Sequence, residues 1–120
     1  MNKKSMTLVG VFLLIIVIAA VVILFWKVTL NPGSIGIREI TVSNKTITLQ
    51  GDILDSAHHF VDAKVLQQEN SLFISIRGSL LPRPHSSGSF HVSLNNVYGQ
   101  IDRIYLSNGS KQDDIQIWSK

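Results

Sequence analysis

The chain has 120 residues and a formal net charge of +3, which leaves room for one folded domain. Of its 11 Lys and Arg, Lys3, Lys4 and Lys27 flank a single apolar run, and the other eight balance the eight Asp and Glu. A phosphate-tracking surface needs clustered positive charge, so no nucleic-acid partner is expected. The absence of cysteine excludes disulfide staples, thiolate chemistry, cysteine zinc sites and a lipidated cysteine.

Residues 1–5 form a short basic N-terminus. Met6 to Trp26 then make an uninterrupted, charge-free apolar stretch of 21 residues. As a helix it would span about 32 Å, close to the thickness of a bilayer's hydrocarbon core. A secretory signal has a shorter apolar core ending in a small-residue cleavage site. Here the small pair Ala19-Ala20 lies mid-run and is followed by Leu24, Phe25 and Trp26, so a retained transmembrane helix over 6–26 is expected. Trp26 beside Lys27 suits a membrane–water interface, and a short basic N-terminus normally stays cytoplasmic. The remainder of the chain is thereby expected outside the cytoplasm, with the lipid bilayer as the helix's partner. No small-xxx-small spacing marks a helix-pairing face.

Residues 27–34, "KVTLNPGS", read as a linker because Asn31-Pro32-Gly33 is turn chemistry. From 35 to 120 the apolar period becomes two, the signature of strands. "REITVS" and "TITLQG" alternate around Asn44-Lys45, which suits a tight hairpin turn because asparagine tolerates positive φ. "HFVDAKVLQQ" fits a strand through Val61, Ala63 and Val65, although Val61, Val65 and Leu66 also fit one helical stripe. The turn-like "ENS" joining it to the strand "LFISIRGSL" favours strand. Pro82 to Gly88 is a loop by composition. "SFHVSLN", "IDRIYLS" and "IQIW" complete the set, with Ile104, Leu106, Ile115 and Ile117 expected inward. About seven short strands with turns between them predict a small all-β domain, an antiparallel β-sandwich or barrel.

The last segment, "IDRIYLSNG" leading to "IQIW" and preceded by "GSFHVSLN", resembles the ending of small uncharacterised single-pass membrane proteins of bacterial type. In these an I-x-x-I-Y-L-x-G strand and turn lead to a terminal I-W. The likeness covers roughly the last 30 residues and the anchor-then-β layout. It implies a bacterial envelope setting and carries no activity or site residues.

Chemical constellations are sparse. His58-His59 are adjacent and diverge, and His85 and His91 are separated by a loop, so no metal site or cofactor is expected. Asp52 and Asp55 flank Ile53-Leu54 and read as turn punctuation rather than an acid–base pair. No nucleophile elbow is present. Ser107 to Asp114 is rich in side-chain oxygens but lacks the spacing of a calcium loop.

One arrangement stands apart. With Ile104 and Leu106 inward, Arg103 and Tyr105 face outward, and alternation in "IQIW" puts Gln116 and Trp118 outward too. Tyr105, Trp118 and Arg103 are thus the expected binding patch, suited to a glycan ring or an envelope protein segment. The reading is a non-enzymatic, membrane-anchored binding or accessory module of the cell envelope. The alternatives are a structural subunit of a membrane assembly and a small envelope enzyme.

Overall fold

A computed structural model describes residues 3–55, 57–80 and 88–120. The expected Pro82–Gly88 loop, His85 included, lies outside the described residues except for Gly88. The first element, α1 (Lys3–Phe25), runs straight through Ala19-Ala20. It is apolar around its whole circumference, with none of its span buried. A helix without a polar face has no reason to lie on a water-soluble domain, and this one is long and apolar enough to cross a membrane.

Only Trp26 and Lys27 separate α1 from β1 (Val28–Thr29). That two-residue strand pairs antiparallel with β5 (Ser71–Ser79), Val28 opposite Gly78 and Thr29 opposite Arg77. Leu30 follows into the core and donates its N–H to Ile76 O at 2.9 Å. Asn31 Oδ1 then accepts from Gly33 N–H, 2.8 Å, and caps a 3-10 turn over Pro32–Ser34 in which Pro32 is buried. Within the segment read as a linker, Val28 to Ser34 are held against the domain by these contacts.

Two sheets make the sandwich. β2 (Ile35–Val42), β3 (Thr46–Ile53) and β6 (Ser89–Asn95) form an antiparallel three-stranded sheet. In the second sheet β5 is central, with β4 (His59–Gln68) along one edge. Along its other edge lie β1 and, beside Ser71–Ile74, β7 (Arg103–Leu106). β8 (Ile115–Ser119) closes that side. β5 and β7 are parallel, a pairing that needs a crossover; here β6, in the opposite sheet, supplies it. Alternation delivers the core as expected. Ile47, Leu49, Phe90 and Val92 from one sheet face Leu72, Ile74, Ile76, Ile104 and Leu106 from the other, all buried.

Three bulges depart from simple alternation, at Arg38, Val61 and Ile117. The bulge at Val61 turns Phe60 inward over Gly78, which has no side chain to obstruct it. Phe60 stacks on Phe90, centroids 5.4 Å apart, and Phe90 in turn lies against Gly51.

The β2–β3 hairpin turns at Asn44-Lys45, as expected. Three residues, Ser43 to Lys45, connect the strands, and Ser43 Oγ accepts from Thr46 N–H at 3.0 Å. This side chain closes the turn, and Asn44 does not adopt positive φ. Among the described non-glycine residues, the positive φ (56°) belongs to Glu69, in the β4–β5 turn.

Candidate functional site

The outer face of the five-stranded sheet carries the arrangement most suited to a ligand. Residues directly opposite across strands share a face, so register places Leu66, Phe73, Tyr105 and Gln116 in one lateral row. Gln68, Ser71 and Arg103 form the row beside it. The Phe73 and Tyr105 rings are nearly parallel, 11° apart, with centroids 5.2 Å apart. Leu66 extends this apolar floor and is 55% exposed.

A shallow groove of about 480 Å³ runs over the floor, walled by Gln68 and Ser71 on one side and by Lys111 and Asp114 on the other. The second wall comes from the Ser107–Asp114 connection, which its own side chains hold in shape. Ser107 Oγ accepts from Gly109 N–H at 3.1 Å, Asn108 Oδ1 from Ser110 N–H at 3.0 Å, and Asn108 Nδ2 donates to Asp113 Oδ2 at 3.1 Å. These oxygens serve the turn. Asp114 Oδ1 is shielded from solvent without a hydrogen-bond partner, a state that costs a buried acceptor about 1–3 kcal/mol.

The expected patch is divided. Tyr105 and Arg103 share the outer face, but Trp118 does not join them. The bulge at Ile117 sets Trp118 opposite Ile104, whose side chain is fully buried, and sets Gln116 opposite Tyr105. Trp118 and Ile117 both pack against the core. One extra residue has reversed the face that simple alternation assigned to the indole. Ile115, expected inward, is 43% exposed because β8 is the sheet's edge. Tyr105's aromatic neighbour is Phe73, which the apolar run "LFISI" concealed. Its position between the inward Leu72 and Ile74 was the available signal.

The remaining polar groups pair locally. Asp52 sits 3.1 Å from Arg38 and accepts from Ser89 Oγ at 2.7 Å, whereas Asp55 meets His58 Nδ1 at 2.6 Å; the two carboxylates do not face each other. The Asp55 carboxyl is held below its ordinary range, first by the Ala57 N–H and then by His58. Asp62 receives both Nε and Nη2 of Arg77, at 2.5 and 2.7 Å, and lies 3.3 Å from Lys27 Nζ. Burial works to raise its pKa, but the Arg77 and Lys27 hydrogen bonds prevail and lower it. His91 bonds Gln50 at 2.9 Å on the outer face of the other sheet. Among the described residues no three His, Asp or Glu side chains converge as metal ligands would.

In the C-terminal segment two residues separate Leu106 from Gly109, one more than in the I-x-x-I-Y-L-x-G pattern. Comparison of the chain with protein-family models, with curated proteins and with solved structures finds no match.

Proposed function

We propose that this protein is a single-pass, membrane-anchored binding module of the cell envelope, its β-domain outside the cytoplasm and its ligand seat the groove over Phe73 and Tyr105. The helix's length and apolar circumference support the anchor, and the continuity of α1 through Ala19-Ala20 argues against cleavage there. Lys3 and Lys4, at the N-terminal end of the helix, support a cytoplasmic N-terminus.

The observation carrying the ligand assignment is the stacked Phe73–Tyr105 pair set between polar walls. Such a floor suits a ring with an apolar face and peripheral hydroxyls, which is the chemistry of a saccharide. Gln68, Ser71 and Lys111 line the groove and are placed to meet the hydroxyls. No activity is assigned, because binding needs only these contacts.

The test is glycan-array binding by the full chain in detergent micelles. An aromatic contact contributes about 0.5–1.5 kcal/mol, so Tyr105→Ala and Phe73→Ala should each weaken binding up to about tenfold. A glycan bound equally by both variants, or no glycan bound at all, would overturn the assignment. Digestion of the domain by protease added outside intact inner membranes would establish the orientation.

A further inference from the structure

The junction between helix and domain is short. Two residues separate α1 from a strand in ladder register with β5, and Leu30 just beyond is buried. Lys27 is tied to Asp62, itself gripped by two nitrogens of Arg77. With no slack, the end of the sandwich where β5 finishes and β4 begins must sit at the helix's exit point.

At that end lies a half-open cavity of about 280 Å³. Val22, Ile23 and Trp26 line it from the helix side, Val28 from the first strand, and His58 and Leu80 from the domain; its surface is almost wholly apolar. Trp26, Val28 and Leu80 are 64%, 39% and 38% exposed. The 23 residues of α1 measure about 34 Å as a helix, slightly more than a hydrocarbon core of about 30 Å. In a membrane, Val22 and Ile23 therefore lie at the depth of the outermost acyl carbons, and Trp26 and Lys27 at the headgroups. One wall of the cavity stands in lipid while the domain forms the other.

We propose that this cavity seats an acyl chain of a phospholipid from the leaflet on which the domain rests, with Leu80 as the domain's contact to it. The proposal rests on α1 spanning the bilayer. Its volume, at the small end of ligand pockets, suits a segment of one chain rather than a headgroup. Its lining offers apolar contact and little that would hold water. The seat would also fix the domain's tilt, since a bound chain joins the ladder of β1 and the Lys27–Asp62 pair in linking helix to sheet.

The experiment uses the full chain in phosphatidylcholine vesicles whose acyl chains are brominated both near the glycerol and near the terminal methyl, where bromine quenches a nearby indole. In a Trp26→Phe, Trp118→Phe background, single tryptophans are introduced as Leu80→Trp, Val97→Trp and Val17→Trp. Val97 is 80% exposed and follows Asn95, whose partner Thr46 begins β3 at the far end of the sandwich. Quenching at Leu80→Trp at least twice that at Val97→Trp, with Val17→Trp also quenched, is expected. If Val17→Trp is quenched but Leu80→Trp is no more quenched than Val97→Trp, the lipid seat is refuted and the anchor stands. If Val17→Trp is not quenched, the anchor reading falls and the seat falls with it.

Discussion

Gly51→Ala tests how closely β3, the bulged β2 strand and the Phe90 ring approach one another within the three-stranded sheet. Gly51 is inward-facing in β3, opposite Ile37 in β2 and Phe90 in β6. A methyl group there would strike the Gly36 carbonyl oxygen and come within 2.8 Å of Phe90 Cζ. Neither neighbour can yield cheaply. The Gly36 carbonyl belongs to a paired strand beside the bulge at Arg38, and the Phe90 ring is held against Phe60. Overpacking of a core costs about 1–3 kcal/mol. Two obstructions, one of them backbone, put this case at the upper end. Replacing glycine by alanine in a strand returns at most about 1 kcal/mol of conformational entropy. The net expectation is a loss of about 2 kcal/mol, or roughly 8–16 °C in Tm for a domain of this size. Thermal and urea unfolding of the full chain in micelles, followed by the sheet's circular dichroism, would measure it. Gly88→Ala is the control: its nearest obstruction is Ile53 O at 3.9 Å, and it should change stability by less than about 0.5 kcal/mol. Wild-type stability in Gly51→Ala would refute the close approach of β2, β3 and Phe90.

Trp118→Ala should cost about 2–4 kcal/mol because the indole packs over the core opposite Ile104. Tyr105→Ala on the outer face should cost only about 1 kcal/mol through the lost stack on Phe73; urea denaturation that reversed this order would contradict the bulge. Glu69→Gly should raise stability by about 0.5–1 kcal/mol, since φ 56° strains a side-chain-bearing residue but not glycine. Because the folded-state pKa of Asp62 is lowered, its pairing stabilises the fold above the carboxyl's unfolded value, about 4, and that contribution is lost as pH falls through the folded value. Unfolding midpoints between pH 3 and 6 should show this acid loss, and Asp62→Asn should flatten it.

Much of the architecture is local information, and local information is legible in sequence. The uninterrupted apolar run announces a helix without a polar face, since no soluble packing would leave such a helix covered. Alternation within a strand tells which residues share a face, so Ile47, Leu49, Leu72, Ile74, Ile76, Phe90, Val92, Ile104 and Leu106 could be assigned inward and are buried. Which strands become neighbours is not a property of any one strand. The parallel β5–β7 pair and the recruitment of Val28-Thr29 into the ladder follow from how two sheets close over one core. The binding patch shows the limit most plainly. Alternation puts Arg103 and Tyr105 on the outer face because β7 is regular, whereas it does not give the face of Trp118 because an extra residue at Ile117 inverts the alternation after it. A bulge has no period of its own. It is decided by where a side chain as large as an indole finds volume, against Ile104 beneath the opposite sheet, and only the folded chain provides that volume.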